Sequence, residues 1–335
     1  MAELLNNYYL QIFTFIGINA LLSLSVYLVL STGQLTLGNA GFLSLGAFTT
    51  ALLATKAGWP WWINIPLGGL AAAVVAVGLG FATLRLRGIY LAIATLGFTE
   101  TIRVLWVNLP YTGGSLGIRN IPNINKLFQR FIQTQFDEAP LGLSFSQLAN
   151  LTVMLGVWLV VTLTLLFIIR QGKSRVGRAY TAIRTDEVAA GAMGVDVVHY
   201  KVLAFAQGAF LAGVAGGLTA HTTFAIAPAD FAFNKAVEML TYVVVGGSGV
   251  AFGPVLGATA LIFMSESLRD LRILGERMSD YRLIIYGVLM MVIMVIRPQG
   301  ILTPGLFKFR GPAVPSDEQA GVRKERRVRR KGVPS

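Results

Sequence analysis

The tripeptide Gly172, Lys173, Ser174 invites comparison with a nucleotide-phosphate cradle. A P-loop needs a second glycine five positions before its GK glycine, so that successive backbone amides wrap the phosphates. Position 167 is Phe, and the cradle is missing. His199 and His221 are the two histidines, they are far apart in sequence, and cysteine is absent. No zinc set and no thiolate nucleophile follow from these residues. The other chemistry-bearing residues are acids within apolar runs. Glu100 has Arg103 one helical turn later, a spacing that allows an ion pair. Glu238 and Glu266 lie within or at the ends of late apolar runs. An acid in hydrocarbon is costly unless it pairs or faces water, so each marks either a structural pair or a solute or proton route. No catalytic constellation emerges, and an enzyme is not expected.

The elements that must position these residues are membrane helices. The chain is 54% apolar and 13% charged, with a mean hydropathy of +0.65. Soluble domains carry about 25% charged residues. Apolar runs at 8–30, 35–55, 62–84, 88–107, 147–169, 200–220, 236–247, 253–268 and 281–297 approach the roughly 20 residues that a hydrocarbon core requires. The two runs around 246–253 are short and are expected to form a bent or broken pair. An all-α polytopic membrane protein of about 8–10 spans is therefore predicted, some of them broken or re-entrant.

Charge sets the expected orientation. Of the basic residues, nine lie between positions 308 and 331 and five between 170 and 184. Basic loops stay cytoplasmic. The tail, the 170–199 loop and the turn at Arg85 and Arg87 are thus expected inside, with Lys56 and the 108–146 loop outside. Nine spans with an external N-terminus satisfy this, if GGSGVAFG is a turn. The 269–280 loop, with Arg269, Arg272 and Arg277, fits less well. The first 30 residues hold no Lys or Arg, so the first run is read as a retained span. A permease domain over 1–307 and a basic, disordered tail over 308–335 are expected, with a short surface helix near 126–135. The basic runs suit contact with membrane lipid. A charge run alone does not make a nucleic-acid site, and none is expected.

The stretch GQLTLGNAGFLSLGAFTTALL, 33–53, is unusually small and polar for a span. On one helix, Gly33, Thr36, Ala40, Ser44, Ala47, Ala51, Ala54 and Gly58 would form a continuous small-residue stripe. In lipid, helices associate by close packing, which such stripes allow. Gln34, Gly38, Asn39 and Gly41 are not explained by packing alone. They are candidates for a translocation pathway, with a packed core helix as the alternative. Glu100, Gly246 and Gly247 join them as pathway candidates, the last two because glycine-rich interruptions recur at substrate routes. Residues 208–217, GAFLAGVAGG, read as a tightly packed helix.

The loop RQGKSRVGRAYTAIRTDEVAAGAMGVDVVHYK is amphiphilic and helix-prone around 178–193. With GQLTLGNAGFLSLGAFTTALL, LRLRGIYLAIATLGFTETIR, TGGSLGI, SRVGRAYTAIRTDEVAAGAMGVDVVHYKVLAF, VVVGGSGVAFGPVLGA and YRLIIYGVLMMVIMVIRPQGIL, the chain resembles the permease subunit of branched-chain amino-acid ABC importers, the LivM-like type. These pieces occur in family order along nearly the whole chain. The resemblance implies a fold similar to the ribose-type and vitamin B12-type importer permeases. It also implies a bacterial-type inner membrane location and four kinds of partner: a homologous second permease, two ATP-binding-cassette ATPases, an extracytoplasmic solute-binding protein and lipid. ATP and Mg would sit on the ATPases, and this chain would bind no cofactor. By the same resemblance TDEVAAGAMG supplies the helix that fits a groove on the ATPase. Glu187, Ala189, Ala190 and Gly194 are carried over as coupling candidates. Arg178 and Arg184 add polar contacts, and Gly194 allows a sharp helix end.

The expected cargo is a branched-chain or other neutral amino acid. A urea or amide permease is the alternative within the class. An ion-coupled secondary transporter using Glu100, Glu238 or Glu266 is the alternative outside it.

Overall fold

The structure, a computed structural model, describes residues 6–83, 86, 88–135 and 144–267, with short pieces at 272–273, 276–277 and 288. The chain divides into two compact units, Met1–Leu302 and Thr303–Ser335, and every described residue lies in the first. The expected span at 281–297, the turn at Arg85 and Arg87, and the basic tail lie outside the described residues, as does most of the 269–280 loop.

The described chain is helical: α1 (Asn7–Leu30), α2 (Asn39–Lys56), α3 (Trp61–Thr83), α4 (Ile89–Asn108), α5 (Ile124–Gln135), α6 (Phe145–Lys173), α7 (Arg175–Thr185), α8 (Glu187–Ala192), α9 (Val197–Thr223), α10 (Phe233–Gly246) and α11 (Gly253–Ser267). Among the described residues, extended pairing is limited to a bridge between Ile118 and Ile226 and a two-residue pairing of Arg272–Ile273 with Glu276–Arg277. Eight of the nine expected runs thus carry a helix. Five helices, α1, α3, α4, α6 and α9, are long and apolar enough to cross a membrane. The exposed faces of α3, α4 and α6 carry Val74, Phe81, Ile93, Leu159 and Leu163. Such an outward apolar surface suits a hydrocarbon solvent. The chain is an all-α, multi-pass membrane protein.

The centre is built from α1, α2, α3 and α9. Ala40, Ser44, Ala47, Ala51 and Ala54 of α2 are all buried. A methyl group on Gly46 would lie 2.1 Å from the Gly213 carbonyl oxygen of α9. One on Gly213 would lie 2.8 Å from the Gly68 carbonyl oxygen of α3. Thr50 Oγ1 donates to the Asn64 carbonyl at 3.1 Å. Backbones this close are the contact that small residues make possible in lipid, where apolar side chains give no drive to associate. The small, polar character of α2 follows from its place in the middle of the bundle.

One expectation is corrected here. Gly33, Thr36 and Gly58 do not continue the α2 stripe, because the helix runs only from Asn39 to Lys56. Residues 34–37 run without regular structure, yet Gln34, Thr36 and Gly38 are near or fully within the buried core. The Leu37 amide donates to Thr95 Oγ1 at 3.1 Å, and Thr99 Oγ1 donates to the Leu37 carbonyl at 3.1 Å. Hydroxyls of α4 therefore satisfy backbone groups that a helix would have satisfied internally. A second correction concerns 178–193, which is two helices separated at Asp186.

The two ends of the bundle differ. One gathers 31–38, α7, α8 and the 247–252 turn: Arg184 reaches the Ser248 carbonyl at 3.5 Å and backs onto Gly33. The other gathers Lys56, stacked 5.6 Å from the Tyr111 ring centre, and Asn123, which donates to the Thr222 carbonyl at 3.2 Å. Helices α10 and α11, 14 and 15 residues long, fold back on each other between these ends. A methyl on Gly246 would lie 1.9 Å from the Gly253 carbonyl oxygen.

Candidate functional site

The basic end carries a short capped helix. Ser174 Oγ accepts from the Gly177 amide at 3.4 Å and starts α7. Asp186 Oδ1 accepts from Val188 and Ala189 amides at 2.9 and 3.0 Å and starts α8, as N-cap carboxylates do. Gly194 ends it at φ +84°, with its amide donating to the Gly191 carbonyl at 3.0 Å. Asp196 then caps α9 through the His199 amide at 3.0 Å. Two caps and one left-handed glycine fix a six-residue helix that could not persist alone.

This helix is anchored on one side and open on the other. Ala190 is buried. Glu187 pairs with Lys201 Nζ at 2.8 Å, and the Lys201 side chain is 7% exposed. Ala189 is exposed, as are Val188 and Met193. Arg178 and Arg184 are exposed on α7. Beneath them Tyr180 donates to Gln207 Oε1 at 3.1 Å, which also accepts from Gln171 Nε2 at 2.8 Å. Burial raises the Tyr180 hydroxyl well above the ordinary phenol value, so it stays a neutral donor. The six coupling candidates thus lie on two consecutive helices and the turn after them: Arg178 and Arg184 exposed on α7, Glu187 and Ala189 at the surface of α8, Ala190 holding α8 down and Gly194 at its end.

The pathway candidates separate into four groups. Gln34 and Asn39 are buried beside the irregular 31–38 stretch. Asn39 Nδ2 donates to Ser25 Oγ at 2.9 Å, while its Oδ1 and both amide atoms of Gln34 have no partner among the described residues. Gly38 and Gly41 are explained by packing against α4, since a methyl on Gly41 would lie 2.9 Å from the Phe98 ring. Gly246 and Gly247 form the α10–α11 turn, Gly247 at φ +102°. Glu100 is paired with Arg103 at 2.6 Å on a partly exposed flank of α4. Glu266 accepts from Tyr8.

A polar cavity of about 460 Å³ lies at the opposite end, between α1, α9, α10 and the 224–232 connection. Lys235, Glu238 and Asn19 line it. Lys235 Nζ lies 3.3 Å from Glu238 Oε2 and donates to Asn19 Oδ1 at 3.0 Å. Sequence reasoning singled out Glu238 but missed Lys235 and Asn19. The spacing Lys235, Glu238, Tyr242 within an apolar run was the available signal, because it places two charges and a hydroxyl on one helix face.

The model of the family described as branched-chain amino acid transport system / permease component matches residues 8–294. The high-affinity branched-chain amino acid transport system permease protein LivM of Escherichia coli K12 is 36% identical over 295 residues, 86% of this chain. LivM of Salmonella typhimurium is 35% identical over 303 residues. In both, the match spans 66% of the relative's length, just under two thirds. The permease protein LivH of Escherichia coli K12 is 29% identical over 156 residues, 46% of this chain and 49% of its own. No solved structure matches the chain significantly. With a capped surface helix at one end, a charged cavity at the other and a family match over most of its length, the chain belongs to the permease components of branched-chain amino acid transport systems.

Proposed function

We propose that this chain is one membrane subunit of an ATP-driven, binding-protein-dependent importer for branched-chain or other neutral amino acids. The family match carries the transport class, and the α8 surface carries the coupling. A soluble ATPase needs a rigid feature to push against, and α8 is rigid by its caps and by the Glu187–Lys201 pair. Val188, Ala189 and Met193 supply its apolar contact; Arg178 and Arg184 supply charge. ATP and Mg belong to two separate ATPase subunits, and this chain binds no cofactor. On this reading the end bearing α7 and α8 is cytoplasmic and the first residues of α1 are external; the basic tail is expected on the cytoplasmic side of a bacterial-type inner membrane because basic segments stay there. The charged cavity faces the external solute-binding protein. A homologous LivH-like permease completes the membrane part, and the exposed apolar faces of α3, α4 and α6 meet that subunit or lipid.

The test is uptake of labelled leucine in cells with and without the gene, with leucine, alanine, glutamine, arginine and urea as competitors. Loss of uptake on deletion, with competition by neutral amino acids alone, is the expected result. Uptake that survives ATP depletion, or that a protonophore abolishes while ATP is preserved, identifies a secondary transporter instead. Competition by urea in place of leucine moves the assignment to the amide permeases.

A further inference from the structure

The Lys235–Glu238 pair stands where a structural ion pair has little reason to be. It sits on a 14-residue helix of a membrane protein, both side chains are less than a fifth exposed, and both border the cavity. Two charges taken out of water regain little by pairing only with each other, and apolar replacements often serve as well. Each charge also has a second partner. The Lys235 ammonium is held by Asn19 Oδ1 at 3.0 Å and lies 5.8 Å from the Phe15 ring centre. Glu238 accepts from the Tyr242 hydroxyl through its other oxygen. Opening the pair therefore leaves both groups positioned.

We propose that Lys235 and Glu238 form a zwitterion-exchange site, at which the carboxylate of an incoming α-amino acid takes Lys235 and its ammonium takes Glu238. This deepens the importer reading and rests on it. One ion pair is replaced by two, and the net charge on the pair stays zero; Asp230, the third charged residue lining the cavity, is turned to the Ala227 amide at 2.8 Å. A cationic or anionic solute would take one member of this partly buried pair and leave the other without its counter-charge. Urea has no charges with which to open the pair. Leu22 and Leu43 give the same cavity an apolar wall for an aliphatic side chain, and its volume lies within the range of about 300–1,000 Å³ common for small-molecule sites.

The test uses the assembled importer in proteoliposomes with Lys235→Met, Glu238→Gln and the double variant, read by leucine uptake and by basal ATP hydrolysis as a measure of assembly. Each single variant and the double are expected to lose leucine uptake by about tenfold or more while basal hydrolysis persists, as loss of a desolvated charge contact would require. A structural pair predicts another pattern: the singles fail, but the double, with no unpaired charge, recovers. Recovery of the double to within about twofold of wild type, or any single variant at that level, overturns the site while leaving the importer reading intact. Should the double not assemble, Glu238→Asp gives the second readout: a raised KM for leucine supports the contact, and an unchanged KM overturns it. Wild-type importer that moves urea and no zwitterion overturns both.

Discussion

Gly46 of α2 and Gly213 of α9 meet backbone to backbone, with room for no side-chain atom between them: a methyl on Gly46 would lie 2.1 Å from the Gly213 carbonyl oxygen. The obstacle is main chain, which cannot swing aside. Gly46→Ala is therefore expected to separate α2 from α9 and cost about 1–3 kcal/mol or more, in the range of overpacked cores. Gly97→Ala is the control, since nothing lies within 4 Å of its added methyl. Thermal unfolding of the detergent-solubilised protein should drop for the first and hold or rise for the second.

The α8 cap makes a separable prediction. Asp186→Ala removes the acceptor for the Val188 and Ala189 amides. A lost N-cap costs about 0.5–2 kcal/mol, enough to melt a six-residue helix without unfolding the bundle. Limited proteolysis should open a new cleavage site between 186 and 196, while the melting temperature of the membrane core changes little. Unaltered protection of that segment contradicts the role given to the cap.

At Gly194 the constraint is conformational and not spatial. Its φ is +84°, and nothing lies within 4 Å of an added Cβ. Asn tolerates this region, whereas other side chains pay about 1–2 kcal/mol. Uptake by the importer is expected to follow Gly194, then Asn, then Trp and Val, at equal insertion into the membrane. Normal uptake by Gly194→Trp removes Gly194 from the coupling surface.

The helices were legible in the sequence because each apolar run has one physical explanation, and α1, α3, α4, α6 and α9 fall within a few residues of it. The Glu100–Arg103 pair was legible for the same reason: its spacing allows one contact. The 31–38 break was not fully legible. Composition marks Gly33 and Thr36 as small, but only the Thr95 and Thr99 hydroxyls, 58 and 62 residues from Leu37, show that irregular backbone can be satisfied there. The cavity was legible only as an isolated Glu238. Asn19 meets Lys235 across 216 residues, and no local pattern reports such a contact.

The Lys201–Glu187 contact ties the first residue of α8 to α9, so under the proposed coupling it would carry movement as well as stability. The Lys201 side chain is almost wholly buried, and Glu187 is the acid that meets it. Glu187→Gln weakens a charge-assisted bond and is expected to destabilise the α8–α9 junction by about 1–3 kcal/mol. Hydrogen exchange should rise in 187–193, and uptake should fall per ATP hydrolysed. A fall in both uptake and hydrolysis in equal proportion would instead mark an assembly defect.

Gln34 supplies the sharpest contrast between packing and function. Its side chain is 4% exposed, and neither amide atom has a partner among the described residues. A buried amide left unpaired costs about 1–3 kcal/mol, so Gln34→Met, similar in length and free of that penalty, is expected to stabilise the isolated chain. If the amide serves a passing solute or the neighbouring permease, the same variant loses uptake in the assembled importer. Stability and transport then move in opposite directions, which a merely packed residue does not produce. A Gln34→Met protein that melts higher and transports normally would return the 31–38 stretch to a purely structural role.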